Sequence, residues 1–291
     1  MGSSRCSFLD IVVLDEIRGR FADGDALVVL STDLGEVLWS NGPGARLFGY
    51  SEIGSIIGAA PKMGLPAERQ ISSTPGYPAI GRDRAIAVRV TNGFTSRVVN
   101  LLASSITMPD GKAAILLVEP AGGTASEDAG RRAERAIEGF GEEGQFTALV
   151  DGEGKIIAAS PDFASLAIGE ETLRGLTSEA QGAERLVKRR IPVRAFRMPA
   201  GLARLTDEPA THLLVVVDDG EEATEPGSEE NADATPDAAP ELLGPQTANA
   251  SAQADAGFES VGRTFPPWEG PSATHGPVDR WYFLHGDEER T

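Results

Sequence analysis

The chain is poor in cysteine and histidine and has no long apolar run. Its 291 residues include one cysteine, Cys6, and three widely separated histidines, His212, His275 and His285. A single cysteine excludes an intrachain disulfide and a multi-thiolate metal site, and the histidines lack metal-ligand spacing. No stretch approaches the roughly 18 apolar residues of a membrane span, and no secretory signal opens the chain. We therefore expect a soluble cytoplasmic protein without a metal site.

The chain also has fewer basic than acidic residues, and the excess of negative charge is unevenly distributed along it. The formal net charge is −18, of which residues 219–291 carry −13 and residues 1–218 carry −5. Nucleic acids are bound by clustered lysine and arginine residues, so this balance argues against a nucleic-acid partner. The first three quarters of the chain has the mixed charge of an ordinary globular surface.

Catalytic motifs are missing as well. The sequence has no Gly-x-Ser-x-Gly, no Walker loop and no kinase ATP-binding motif. The run Gly42–Leu47, GPGARL, follows a predicted strand as a dinucleotide-binding loop does, but Leu47 replaces the third glycine and no second parallel strand follows. We predict no catalytic residue and no cofactor for this chain.

The most informative stretch is Thr32–Tyr50, TDLGEVLWSNGPGARLFGY. The apolar run 27–31 before it and residues 37–39 within it predict two strands joined by a turn at 33–35. Asn41 ends the second strand, and residues 45–48 predict a short helix. This order resembles the opening of a PAS domain, and the matching residues are Asp33, Gly35, Val37, Trp39, Asn41, Leu47, Phe48, Gly49 and Tyr50.

Residues 24–120 form the first predicted domain. A second short helix is predicted at 51–58, the Pro- and Gly-rich residues 59–84 read as a loop or broken helix, and three strands are predicted at 85–91, 97–108 and 112–119. The PAS resemblance implies an α+β fold, in which a five-stranded antiparallel sheet carries short helices on one face.

Residues 144–218 repeat this pattern and form a second, degenerate PAS-like domain. Aligning Gly154 with Gly35 places Ile156–Ile157 on Val37–Leu38, and Ser160 stands where Asn41 stood. A later strand of this domain carries the basic residues Lys188, Arg189, Arg190, Arg194 and Arg197. The preferred interpretation is an edge strand protected by charge. The alternative is a surface for an anion or an acidic partner.

Two helices are predicted outside the domains, an N-terminal helix within residues 1–23 and a linker helix within 121–143. Residues 5–22 place apolar side chains at three- and four-residue steps. Two interpretations stay open, a helix packed on its own domain and a dimerisation helix. The dimer-contact residues would be Phe8, Ile11, Leu14, Ile17 and Phe21.

The last predicted segment, 219–291, is an acidic tail with an aromatic end. Residues 219–256 have few large apolar side chains, so we predict disorder there. The last 34 residues hold six of the 17 aromatic residues of the chain: Phe258, Phe265, Trp268, Trp281, Tyr282 and Phe283. This cluster is either a short partner-binding motif or the lead-in to a further domain.

PAS domains often enclose a ligand pocket between the sheet and the short helices. Here the resemblance implies a pocket lined by Trp39, Asn41, Leu47, Phe48, Ile57, Val90 and Leu101. Because most of these residues are apolar and few polar groups converge on them, simple core packing is the favoured alternative.

The resemblance implies the non-catalytic sensory region of a bacterial sensor histidine kinase, similar to the cell-cycle kinases of alphaproteobacteria. Such a region would act by homodimerising and by docking another signalling protein, such as a response regulator. Two alternatives are a PAS sensor that binds a small molecule or cofactor, and a free-standing signalling adaptor.

Overall fold

The computed structural model describes residues 6–92, 95–122, 129–182, 184–194, 196–219 and 280–284. The predicted disordered stretch and most of the acidic tail lie outside these residues. Within them, no helix has the length and apolar character needed to cross a bilayer.

The first sheet has five antiparallel strands. They are β1 (Ala26–Ser31), β2 (Val37–Ser40), β3 (Arg84–Asn92), β4 (Thr95–Thr107) and β5 (Ala113–Glu119), in the spatial order β2-β1-β5-β4-β3. Between β2 and β3 lie the helices α3 (Gly42–Leu47), α4 (Ile53–Ile56) and α5 (Leu65–Ser72). Alternating burial of Val88 and Val90 on β3 agrees with the period-two pattern expected of a strand.

The second sheet repeats this topology. It consists of β6 (Gln145–Asp151), β7 (Ile156–Ala159), β8 (Leu186–Val193), β9 (Phe196–Asp207) and β10 (Ala210–Val217), in the order β7-β6-β10-β9-β8. Two five-stranded antiparallel sheets with short helices confirm the predicted α+β fold class. The charged strand β8 lies at the edge of its sheet, as its preferred interpretation required.

The N-terminal segment corrects one prediction. Instead of one helix over residues 5–22, the chain forms α1 (Phe8–Val12) and α2 (Arg18–Ala22), separated by turns. In the turn, the Asp15 carboxylate accepts hydrogen bonds from Arg18 Nε at 3.1 Å and from Arg185 at 2.7 Å. With this break, α1 and α2 both contact β9.

Two further helices complete the fold. Helix α6 (Ala129–Ala136) lies within the predicted linker helix. Helix α7 (Glu170–Ala180) was not predicted, although Leu173, Leu176 and Ala180 recur at helical steps and are buried. A 3₁₀ helix at Phe163–Leu166 precedes it.

The buried side chains form two clusters. The larger one joins the first sheet, α1, α2 and the end of the linker to the buried side chains Leu205, Leu213 and Val215 of the second sheet. The smaller one packs α7 and the 3₁₀ helix against the other side chains of the second sheet, among them Leu202 and Leu214. Both faces of the second sheet are therefore covered.

Asn41 fixes the turn from β2 into α3. Its buried side-chain oxygen accepts hydrogen bonds from Leu27 N at 2.9 Å and Gly44 N at 3.0 Å, and its amide donates to Asp25 O at 2.7 Å. The side chain thus caps the helix and ties it to β1. In the second repeat, Ser160 Oγ accepts only one equivalent bond, from Thr147 N at 3.1 Å.

Replacing Asn41 with alanine should destabilise the fold by about 2–4 kcal/mol, because three buried backbone groups would lose their partners. The free energy of unfolding in urea measures the loss. Asn100→Ala on the exposed face of β4 is the matched control and should change stability by less than about 0.5 kcal/mol. Equal effects of the two substitutions would contradict this role of Asn41.

Candidate functional site

Six aromatic rings, those of Phe8, Phe21, Trp39, Phe140, Tyr282 and Phe283, meet at one place, which we call the aromatic junction. The Phe8 ring is its centre. Ring centroids lie 5.0 Å from Phe8 for Trp39, 5.1 Å for Phe283 and 5.3 Å for Phe140. Phe21 and Tyr282 follow at 6.3 and 6.5 Å, both edge-to-face. The junction joins α1, α2, β2, the linker and the C-terminal segment 280–284.

Helix α1 is held in place by its cap and by the second sheet. Ser7 and Asp10 form a reciprocal capping box at the start of the helix. Lys188 on β8 donates to Ser7 Oγ at 3.0 Å and to Asp10 at 2.9 Å. The orientation of Phe8, the first helical residue, is therefore set from the second sheet.

The C-terminal segment contacts both repeats. The Tyr282 hydroxyl donates to the carbonyl of Leu38 on β2 at 3.3 Å. On the second sheet, Gly201 leaves room for two leucines, since a Cβ there would stand 2.3 Å from Leu9 Cδ1 and 2.8 Å from Leu284 Cδ2. Tyr282, Phe283 and Leu284 are 4, 1 and 1% exposed, as core residues are.

Glycines position the linker side of the junction. A Cβ on Gly42 would stand 1.6 Å from the carbonyl oxygen of Glu138, and one on Gly139 would stand 2.6 Å from the Gly42 Cα. Helix α3 and the end of the linker thus touch through their backbones, and Phe140 follows directly. The glycines of the GPG run serve close packing rather than phosphate binding.

Ion pairs surround the junction at its exposed rim. Arg18 pairs with Asp207 of β9 at 3.1 Å, and Arg185 pairs with Asp15 at 2.7 Å. The hydrogen bond from Arg18 lowers the pKa of both carboxyl groups, Asp15 and Asp207. Because exposed pairs contribute at most about 1 kcal/mol each, aromatic packing holds the N-terminal helices and these pairs set their register.

The predicted pocket residues are brought together, but as a filled core. Trp39, Leu47, Phe48, Ile57, Val90 and Leu101 are all at most 4% exposed and belong to the larger cluster. The Asn41 side chain hydrogen-bonds to the backbone at the turn into α3 and is therefore not available to a ligand. This arrangement supports the core-packing interpretation of these residues.

A surface cleft of about 300 Å³ lies beside this core. Its lining residues are Gly24, Ala26, Pro43, Arg46, Leu47, Arg97, Glu119, Pro120, Ala121, Gly122 and Arg135. Only Leu47 belongs to the predicted pocket. Arg46 pairs with Glu138, and burial lowers the pKa of its guanidinium group. Arg97 pairs with Glu119 at 3.3 Å. Arg135 brings the guanidinium groups at the cleft to three, and an anionic ligand would compete with Glu138 and Glu119 for two of them.

The predicted dimer-contact residues are buried in the larger core cluster or packed against it. Phe8, Ile11, Ile17 and Phe21 are at most 1% exposed, and Leu14 packs on the same core. This burial favours the interpretation of a segment packed on its own domain. The hydrophobic period alone could not decide this, because it is the same for either partner.

The described part of the aromatic end packs against its own chain, and its two predicted roles, a partner-binding motif or the lead-in to a further domain, stay predictions. Tyr282 and Phe283 pack on the core of their own chain, while Phe258, Phe265 and Trp268 lie outside the described residues. The available signal was the run of large apolar residues at 281–284 after a long stretch with few of them. It showed a segment able to be buried, but not its docking place.

Potential metal-ligating side chains do not cluster in the described part of the chain. No group of three potential metal-ligating side chains occurs there. His212 lies on β10 at 0% exposure, and neither ring nitrogen has a hydrogen-bond partner there. Burial lowers the pKa of His212, which Arg204 nearby reinforces. The burial of His212 on this strand and its lowered pKa favour the uncharged imidazole.

Comparison with known proteins identifies relatives of most of the chain. No family model matches it. Over 213 residues, 73% of the chain, it is 43% identical to the cell-division control histidine kinases PdhS of Brucella canis and Brucella abortus. It is 42% identical over 218 residues to PdhS of Brucella anthropi. The match covers 20% of each relative, so the chain spans about a fifth of their length.

Solved structures give only distant likenesses. The periplasmic sensory domain of the Campylobacter jejuni chemoreceptor Tlp1 aligns with a TM-score of 0.25 at 10% identity, over 68% of this chain and 73% of that one. The chromophore-binding domain of Stigmatella aurantiaca phytochrome P1 gives 0.23 at 12% identity, over 67 and 86%. At such scores the likeness carries no inference.

The close fit at Gly201 gives a test of the junction. Gly201→Ala should destabilise the chain by about 1–3 kcal/mol, since its Cβ collides with Leu9 and Leu284. Gly175→Ala on the exposed face of α7 is the control. It should stabilise the chain by about 0.5–1 kcal/mol, because alanine favours the helix and its Cβ would make only an ordinary contact. Urea unfolding measures both.

A second substitution separates crowding from other effects of the added methyl group. Combining Gly201→Ala with Leu9→Ala should cost less than the two single changes together, because the shorter side chain makes room. Strict additivity of the two free-energy changes would contradict the packing described at Gly201.

Proposed function

From the homology of most of this chain to part of the PdhS cell-division control histidine kinases, we propose that it is a sensory and protein-interaction region of such a kinase. The homology confirms the resemblance to alphaproteobacterial cell-cycle sensor kinases. In this role the chain performs no catalysis itself. It acts in the cytoplasm, where it receives a signal and passes it to the catalytic parts of the kinase.

The observation that carries this proposal is the seating of segment 280–284 in the aromatic junction. Residues 218–279 separate this segment from β10 in the sequence, yet the Phe283 ring centroid lies 5.1 Å from that of Phe8 and 5.6 Å from that of Phe140. The segment therefore shares one core with both repeats. A signal that shifts either sheet or the N-terminal helices changes the fit of the segment, and through it the chain that follows.

Partners follow from the histidine kinase role. We propose a homodimer, and a response regulator or another signalling protein docked on the sensory region. Because Phe8, Ile11, Ile17 and Phe21 are buried in the junction, self-association would use other surfaces of the chain. Exposed apolar side chains available for contacts include Val98, Ile156 and Phe196.

A chimeric kinase tests the proposal. This chain replaces the homologous region of Brucella abortus PdhS, and the autophosphorylation rate of the purified chimera is measured. Phe283→Ala should change that rate by about fivefold or more, because a coupling free energy of 1–3 kcal/mol is typical between linked sites. Leu65→Ala, at a side chain 65% exposed on α5, should leave the rate unchanged.

The folding of each variant is checked by circular dichroism, and Leu284→Ala serves as a milder second variant. A chimera whose rate is the same with and without the Phe283 and Leu284 side chains, while both sheets remain folded, would contradict a regulatory role of the junction.

A small-molecule sensor is the second candidate function, and the arginine-lined cleft favours it. Native mass spectrometry of the purified chain is the measurement. We expect a stoichiometric anionic adduct that is lost when Arg97, 61% exposed at the cleft, is changed to alanine. A spectrum of the bare polypeptide alone, at every anion concentration tried, would refute this second function.

A further inference from the structure

The end of the β8–β9 hairpin carries an unusual set of residues. Val193 on β8 pairs with Phe196 on β9, so Arg194 lies in the connection between the two strands. From residue 185 to residue 197 the sequence has six basic residues and no acidic one. The hairpin is thus a concentrated positive surface on a chain whose net charge is −18.

Four of these basic residues already face carboxylates. Arg185 pairs with Asp15, Lys188 with Asp10, Arg189 with Glu179 and Arg190 with Asp219. The remaining two, Arg194 and Arg197, pair with no carboxylate in the part of the chain that the structure describes, although Arg197 donates one hydrogen bond to the carbonyl of Arg190 at 3.5 Å. Between them in sequence, Phe196 is 46% exposed.

The backbone at Arg194 adds a second observation. Its φ of 53° lies in the left-handed region, which glycine, asparagine and aspartate occupy with less strain than arginine. Two-residue hairpin turns favour the same small residues. An arginine at this position therefore serves its side chain and not the turn, and strain of this kind points to function.

Protection of an edge strand does not account for this pattern. Charge along β8 itself, at Lys188, Arg189 and Arg190, is sufficient to keep another strand from pairing with the edge. It requires neither the strained backbone of Arg194 at the turn nor the exposed side chain of Phe196.

We propose that Arg194, Phe196 and Arg197 form a docking site for an acidic segment of a partner protein. The two guanidinium groups would bind carboxylates, and Phe196 would contact an apolar side chain between them. The Asp219 carboxylate on Arg190 shows that this hairpin accepts such a group. A nucleic-acid backbone, by contrast, needs more cations than this site has free. The proposal rests on the hairpin alone and holds whether or not the junction transmits a signal.

Fluorescence anisotropy at low ionic strength tests the proposal, using a labelled synthetic peptide of alternating Asp, Glu and Leu residues and the full chain. We expect saturable binding that weakens with added salt, and none for the peptide with Asn and Gln in place of Asp and Glu. Arg194→Gly combined with Arg197→Ala should weaken binding about tenfold, while Arg82→Ala with Arg84→Ala, matched in charge, should leave it within about twofold.

The single variant Arg194→Gly separates binding from folding. It should raise the melting temperature, because glycine relieves the turn, while it lowers the affinity for the acidic peptide. The acidic residues of the chain itself could compete for the site, so the same titration is made after residues 221–255 are replaced by a Gly-Ser stretch of equal length. Absence of binding in both chains, or equal affinity with and without Arg194 and Arg197, would overturn the proposal.

Discussion

The packing of Phe8 against rings from four other segments is the contact on which the rest of the structure depends. Helix α1 is five residues long and could not persist alone in water, so its stability comes from this burial. Aromatic pairs contribute about 0.5–1.5 kcal/mol each beyond the area that they bury, whereas the exposed ion pairs at the rim contribute less. Because the partners of Phe8 extend from Phe21 to Phe283, a single ring joins the two ends of the described chain.

This junction explains why the two repeats differ although their strand orders are the same. The second sheet is covered on one side by α1, α2 and the C-terminal segment, and on the other by α7. Its Gly201 is required by Leu9 and Leu284, and not by its own sheet. The second repeat has also kept only one side-chain bond at Ser160 where Asn41 makes three. The second sheet therefore packs against the junction with one face and against its own helix α7 with the other.

Local features of this protein could be predicted from sequence, and long-range ones could not. The strands, the Asn41 turn and the repeat followed from two-residue periodicity, turn residues and the spacing of glycines, all of which act between near neighbours. The break between α1 and α2 was missed because hydrophobic periodicity carries no information about β9, the distant strand that both helices contact. The docking of Tyr282 and Phe283 was missed for the same reason, since an apolar run indicates burial but not its partner. Helix α7 was also missed, but it could have been predicted, because Leu173, Leu176 and Ala180 recur at helical steps in the sequence.

Hydrogen–deuterium exchange at residues 282–284 tests the central claim most directly. If the aromatic junction is one cooperative core, the amides of this segment should exchange as slowly as those of α1, and both should open together in denaturant. Exchange of residues 282–284 at the rate of an unstructured peptide, while both sheets stay protected, would contradict the account.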